Sequence, residues 1–565
     1  MIIAAVHLAA CSSLSEQQAS GGLPAGAGTQ DSRAEEPLSA VTSAWRRAES
    51  KKGRAAAGDW LRCATLARSE MANENYETAN EAAKLATRCS REFLSQALRS
   101  RRSWTQGEQT VAGSRLILEL REPSPNLRLP LKILDAEDVS MSMFSGARHV
   151  MPGFGVPVAL ISPRCTDKAY CKLLPPSGVF RTGTAWLEAD ADDAPPRLVV
   201  AHPIRTGALR VRSRSWDLAM DSSAFYAAGM QDSPIRRLSI FGLFGGRELG
   251  RRAGMYLLED YDRQKRPLVM VHGLGSSPMA WARLSNAVWA DPELRARYQV
   301  WQLVYQTNDP VLVARLRVQG HLDEAWRLLD PEGDDPARRG IVLVGHSMGG
   351  VVCRLLLVDT GNALWSTAFN RPPSTLVGEA DDLVALDRMF RFSPYPGVQR
   401  AVLLAAPHQG SPTADAFLGR LAHLFVGRRT PEIQALQRIA QLNQSVVPED
   451  LRKPYLRGSI NSITTLRRSE PVMNVARSLR SSPGIPYHTI AGHLPGTLPP
   501  SDGVVPLQSA LLAGSSSELI IASGHNVHEQ DDAIAEVLRI LHENSSALPE
   551  TSDSLAPKDQ AKGDE

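Results

Sequence analysis

The chain is expected to hold an α/β fold in its second half: a mostly parallel sheet flanked by helices, preceded by a helical segment and a β-rich region. Three observations predict it. Short apolar runs recur at Pro267–Val271, Tyr298–Tyr305, Ile341–Val344, Ala401–Ala406, Tyr487–Gly492 and Glu518–Ala522. Helix-forming stretches such as Leu322–Leu329 lie between them, and that alternation builds parallel sheets. Gly340-Ile341-Val342-Leu343-Val344-Gly345-His346-Ser347-Met348-Gly349-Gly350, followed by the apolar Val351–Leu357, reads as a buried strand, a sharp turn and a helix.

Of 565 residues, 43% are hydrophobic, enough for a full-size core in two or three domains. The 63 Lys and Arg nearly balance 60 Asp and Glu, for a net charge of +3. No basic block with interleaved aromatics suggests nucleic-acid binding. No run of 18 apolar residues is present to span a membrane.

Met1–Cys11 is apolar and short, with no Lys or Arg, and ends in Leu8-Ala9-Ala10-Cys11. That ending resembles a bacterial lipobox, which implies a signal peptide and acylation of Cys11. Residues 12–37, rich in Ser, Gly, Ala and Gln, read as a flexible tether between such an anchor and the folded chain. The expected location is the bacterial cell envelope. Ser12, rather than an aspartate, follows Cys11, which favours the outer membrane over the inner.

Residues 38–105 carry Ala, Leu, Glu and Arg at helical spacing and should form two or more helices. Residues 106–262 change character. Ser114–Leu120 and Ala208–Arg212 read as strands, and Pro and Gly recur. A β-rich accessory domain is expected, of sandwich type, with Trp186, Trp216, Phe225 and Tyr226 in its core. Arg205, Arg210, Arg212 and Arg214 should form a solvated face. The α/β domain spans 263–545, with insertions near 361–398 and 412–485 that exceed ordinary connections and are long enough to form lids or walls over the strand ends. Residues 546–565 read as a disordered tail.

Cysteine usage fits export. With Cys11 lipidated and Cys353 buried behind the turn, four cysteines remain. Cys63 and Cys89 lie on helical faces that a hairpin would bring together. Cys165 and Cys171 are close enough for a small loop. Disulfides belong in an oxidising compartment.

The turn Gly345-His346-Ser347-Met348-Gly349 fits G-x-S-x-G, a nucleophile elbow that holds a serine hydroxyl at its tip. A serine needs a base within reach, and the base needs an acid to orient it. Downstream lie Ser501-Asp502-Gly503-Val504-Val505 and Ser523-Gly524-His525. The order Ser347, Asp502, His525 resembles that of the α/β-hydrolase superfamily. Pro407-His408-Gln409-Gly410-Ser411 and the Asp-Gly-Val-Val stretch are similar to the lipase/esterase branch, bacterial lipases and GPI inositol-deacylase-like hydrolases in particular. The resemblance covers roughly residues 263–545. It implies an acyl-enzyme on Ser347, His525 as base, Asp502 as acid, and an oxyanion hole from the N–H groups of Leu274 and Met348.

His528 rivals His525, and Asp415, Asp381 and Asp382 rival Asp502. The rings of His272, His346 and His408 are better explained as structural groups. No cluster has metal-ligand spacing, and Gly273-Leu274-Gly275 is not a phosphate loop, so no cofactor is expected. The expected activity is carboxylic ester hydrolysis on an ester or lipid-like substrate. The alternatives are an acyltransferase that uses the same acyl-enzyme, and a non-catalytic envelope protein that binds a partner.

Overall fold

The structure, a computed structural model, describes residues 38–100, 103–190, 194–231, 252–410 and 430–546. Cys11, the expected tether, Asp415, the first part of the second insertion and all but the first residue of the expected tail lie outside the described residues. Among the described residues no helix is long and apolar enough to cross a membrane.

Three helices open the described chain: α1 (Ser39–Glu49), α2 (Arg54–Glu70) and α3 (Tyr76–Ala97). Asn75 caps α3 by accepting the Thr78 N–H at 3.0 Å. The facing sides of α2 and α3 are lined with alanines, including Ala64, Ala67, Ala82 and Ala86, so the backbones approach closely. There Cys63 and Cys89 are joined in a disulfide, with Cα atoms 5.8 Å apart.

The next eleven strands are β1 (Ser103–Trp104), β2 (Glu108–Val111), β3 (Ser114–Arg121), β4 (Leu131–Asp135), β5 (Val150–Met151), β6 (Val156–Ser162), β7 (Val179–Glu188), β8 (Arg197–Ala201), β9 (Ala208–Val211), β10 (Arg214–Asp217) and β11 (Met220–Asp221). Seven of them form one sheet, ordered β1-β4-β6-β7-β8-β3-β2. Its only parallel pair among the described residues is β3 with β8. β9–β10 and β5–β11 are separate ribbons. A second disulfide, Cys165–Cys171, closes the connection from β6 to β7.

The expected sandwich is therefore replaced by a single sheet covered by helices. On one face, α2 and α3 share a core with Trp104, Ile133, Val158, Trp186 and Val199. On the other, Ala159 and Phe180 join the helix Ala224–Gln231 and residues of the second half of the chain. Phe225 and Tyr226 lie at that junction, with ring centroids 5.0 and 4.9 Å from Trp289. They serve a core shared by both halves, not one internal to the β-rich region. Glu188, at the end of β7, accepts from Arg121 at 2.6 Å and Trp186 at 2.8 Å and pairs with Arg68 of α2 at 3.0 Å. Burial pushes its carboxyl up, but these donors outweigh it and bring it down to about 2.

The second sheet contains β12 (Gly254–Leu257), β13 (Arg266–Val271), β14 (Tyr298–Val304), β15 (Ile341–His346), β16 (Val398–Leu404), β17 (Tyr487–Gly492) and β18 (Ser517–Ile521). The order is β12-β14-β13-β15-β16-β17-β18. β12 is antiparallel to β14, and every other pair is parallel. β15 is buried at every position, as its uninterrupted apolar run requires in a sheet covered on both faces.

The two insertions fold together as a helical cap. Ala363–Ala368 and Ala380–Phe390 from the first meet Pro431–Leu442, Glu449–Arg457 and Pro471–Ser478 from the second. Arg438 forks onto Asp382 at 2.7 and 2.6 Å. Asn443 exchanges two hydrogen bonds with the Val377 backbone. The buried Arg354 reaches from the helix after Ser347 to the carbonyls of Ala476, Arg477 and Leu479. It satisfies carbonyls at the C-terminal end of the helix Pro471–Ser478 and ties that helix to the one that follows Ser347.

Candidate active site

Parallel strands direct their connecting loops to one edge, and the carboxyl ends of β13, β15, β17 and β18 supply all the relevant groups. Ser347 follows β15 with φ 54° and ψ −125°, a conformation few non-glycine residues adopt. Close packing holds it there. A Cβ on Gly349 would meet the Val271 carbonyl at 2.2 Å, and one on Gly345 would meet the Gly349 carbonyl at 2.6 Å. The helix Met348–Leu355 can approach the strands only because these positions lack side chains.

Ser347 Oγ lies 2.9 Å from His525 Nε2. His525 Nδ1 lies 2.8 Å from Asp502 Oδ2. Asp502 is buried, and its other oxygen accepts the N–H groups of Val504 at 2.8 Å and Val505 at 2.6 Å. The carboxylate is thus pinned by an Asx-type turn on one oxygen while the other faces the imidazole. Leu274 lies in the loop after β13, and a Cβ on the preceding Gly273 would touch Ser347 Cβ at 2.8 Å. Among the described residues the Leu274 N–H has no backbone acceptor. Met348 opens its helix, where an N–H finds no intrahelical carbonyl. Both groups therefore flank the serine with donors to spare.

His528 and Asp382 fall elsewhere. The His528 ring is buried 4.0 Å from that of His346, and no hydrogen bond links it to Ser347. Asp382 belongs to the cap, bound to Arg438. His525→Ala is expected to cost nearly as much turnover as loss of the serine, roughly five orders of magnitude. His528→Asn should stay within about tenfold of the parent. Steady-state kinetics on both variants checks this, and the reverse ranking would exchange their roles.

His346, expected to make a structural hydrogen bond, makes one: its Nε2 lies 2.9 Å from the His525 carbonyl, so the ring donates to the loop that carries the histidine. The His408 ring differs from that expectation. It is buried with no side-chain hydrogen bond among the described residues, and only its backbone N–H is engaged, by Ala406 and Ser509. His272 matters through its backbone, whose carbonyl accepts from Tyr305 Oη at 2.7 Å. Tyr305 and Thr307, whose Oγ1 accepts the Gly275 N–H at 3.2 Å, brace the loop of Leu274. Sequence reading missed both, because nothing local marks a strand-end residue as a brace for another strand.

Burial pushes the imidazoles of His272 and His528 down to about 4 and about 3, and those of His346 and His408 well below the ordinary value. These rings fold neutral, whereas in the unfolded chain they take up protons near the ordinary histidine value of about 6.5. The unfolded state then binds more protons, so stability is full above about pH 6.5 and declines as pH falls toward about 3. Melting temperature should drop steadily between about pH 7 and about pH 5. A flat profile in calorimetry would show that these rings are not buried as described.

Two clusters could be mistaken for metal sites. Cys165 and Cys171 are already joined to each other. Asp330 and Asp335 are held by Arg338 at 2.7 Å and Arg263 at 2.9 Å.

Residues 268–537 match the profile of the alpha/beta hydrolase family. This half of the chain has the α/β-hydrolase fold. The chain is similar to the solved structure of a Bacillus licheniformis lipase in its mature form, at 16% identity over 50% of this chain and 94% of that one, with a TM-score of 0.29. It is similar to a lipase-esterase related protein of Clostridium acetobutylicum, at 13% identity over 52% and 100% of the two chains, with a TM-score of 0.26. An esterase of the archaeon Pyrobaculum calidifontis matches at 13% identity over 52% and 80%, with a TM-score of 0.28. No curated protein matches the chain.

Proposed function

We propose that the protein is a serine hydrolase of carboxylic esters, acting through an acyl-enzyme on Ser347. The observation that carries this reading is the continuous chain of contacts from Ser347 Oγ to His525 at 2.9 Å and on to Asp502 at 2.8 Å. In the first step His525 Nε2 takes the hydroxyl proton while Ser347 Oγ bonds to the ester carbonyl carbon. The tetrahedral oxyanion is received by the N–H groups of Met348 and Leu274. Collapse breaks the bond to the alkoxy group, which leaves as an alcohol with the proton from His525. Water then repeats the cycle on the acyl-enzyme, with His525 again as base, and releases the acid and the free serine. Asp502 keeps the Nδ1–H tautomer and stabilises the imidazolium.

A fluorophosphonate probe and a series of nitrophenyl esters of increasing acyl length test the proposal. Stoichiometric labelling with turnover of at least one ester supports it, and intact protein that neither labels nor turns over any ester refutes it. An acceptor alcohol added to the assay separates hydrolysis from acyl transfer by the products formed. The same proposal places the protein in the bacterial envelope, anchored through an acylated Cys11. An intact mass retaining unmodified Met1 would remove that part alone.

A further inference from the structure

A cavity of about 480 Å³ lies between the two halves of the chain, within the size range of small-molecule sites. It is not the site of Ser347. Its walls include the connection from β12 to β13 and Arg295, which sits just before β14. Those segments lie at the amino ends of the parallel strands, whereas the triad gathers at the carboxyl ends.

The cavity is built by both halves. Arg181, buried on β7, donates to Ser124 Oγ at 3.1 Å and to the Phe180 carbonyl at 2.8 Å. It also crosses to the Leu258 carbonyl at 3.0 Å and to Asp260 at 2.6 Å. This network fixes the floor before any ligand arrives.

The wall carries five cations, Arg181, Arg205, Arg263, Lys265 and Arg295, against three acids, Glu259, Asp260 and Asp262. The acids are engaged by the wall itself: Glu259 accepts from Trp289 Nε1 at 2.6 Å, Asp260 from Arg181, Ser124 and Asn126, and Asp262 from the Gln264 N–H at 2.8 Å. Arg263 is drawn away to Asp334 and Asp335. Among the described residues no carboxylate lies within 4.0 Å of Arg205 or Arg295, although both face the cavity. Lys265 is only loosely paired, 3.8 Å from Glu259. Facing these cations is an apolar surface made by Met220, Phe225, Trp289 and the half-exposed Ile204.

We propose that this cavity binds a small amphiphilic anion, a carboxylate or phosphate head on a short apolar body. Arg295 and Arg205 take the head, and Phe225, Met220 and Trp289 take the body. Guanidinium groups suit both heads because their donors match paired anionic oxygens. Because the ligand touches both halves, binding clamps them together and raises the melting temperature of the whole chain.

Calorimetric titration of the full chain with octanoate, octyl phosphate, inorganic phosphate and octanol tests this. One of the octyl anions should saturate a single site and raise the melting temperature, with inorganic phosphate and octanol at least about tenfold weaker. Which octyl anion binds more tightly identifies the head group. The double variant Arg205→Gln, Arg295→Gln should bind about tenfold more weakly or worse, and Arg295→Lys should retain part of the affinity. Arg295 also holds the Trp289 carbonyl, so if the double variant misfolds, Arg205→Gln alone with Arg295→Lys provides the comparison. No saturable binding by either octyl anion overturns the proposal. Equal affinity in parent and variants overturns it too, by placing the molecule elsewhere, beside Ser347 included. Neither result bears on whether Ser347 is the nucleophile, which labelling decides separately.

Discussion

Replacing Ser347 with alanine is expected to lower ester turnover by roughly five to six orders of magnitude and to abolish fluorophosphonate labelling. The loss is large because nucleophile and base act as a unit. Without the hydroxyl, His525 has nothing to deprotonate at the position where the carbonyl carbon would sit. A small residue of activity from the oxyanion donors and substrate positioning should remain. The fold should not suffer. Alanine keeps the same Cβ at φ 54°, so the backbone strain is unchanged, and among the described residues the only side-chain hydrogen bond lost is the one to His525. Circular dichroism and melting temperature should therefore match the parent. Labelling at the parental rate in this variant would place the nucleophile at another residue.

Asp502→Asn is expected to lower turnover by roughly four orders of magnitude while leaving the structure in place. The hydrogen bonds around Asp502 decide how the new amide must sit. Oδ1 accepts two backbone N–H groups, from Val504 and Val505. An NH₂ group there would face two donors, so the amide oxygen keeps that position and the NH₂ turns toward His525 Nδ1. That nitrogen must then be the acceptor, which forces the proton onto Nε2, and the ring presents a donor to Ser347 instead of a base. Asp502→Ala removes the turn contacts as well, so its melting temperature should fall where that of the asparagine variant does not. Turnover within about tenfold of the parent for Asp502→Asn would mean that the carboxylate does not set the tautomer.

The site was legible in sequence because each of its parts is local. Ser347 sits in a strand, turn and helix that read continuously, and Asp502 and His525 each follow a short apolar strand. Of the first sheet, only β3 was legible as a strand. β7 is buried along its whole length yet carries Arg181, Thr182, Thr184 and Glu188. Their partners are distant in sequence: Asp260 for Arg181, the Asp221 carbonyl for Thr182, the Ala219 carbonyl for Thr184, and Arg68 and Arg121 for Glu188. A local pattern with polar residues on both faces gives no sign of a central strand, because what permits their burial comes from elsewhere in the chain. The braces Tyr305 and Thr307 were opaque for the same reason.

The core shared by the two halves has a consequence for how the molecule can be divided. Trp289 of the second half is covered by Phe225 and Tyr226, and Gln302 of β14 donates to the Tyr226 hydroxyl at 2.8 Å. A chain cut back to its second half would open this apolar face to water and leave the Gln302 amide only its longer contact to Ser285 Oγ at 3.4 Å. Such a face promotes self-association. The N-terminal half leaves the ribosome first, so the surface that will receive Trp289 is made before Trp289 itself. The second half is thus expected to stay soluble only together with the segment that precedes it.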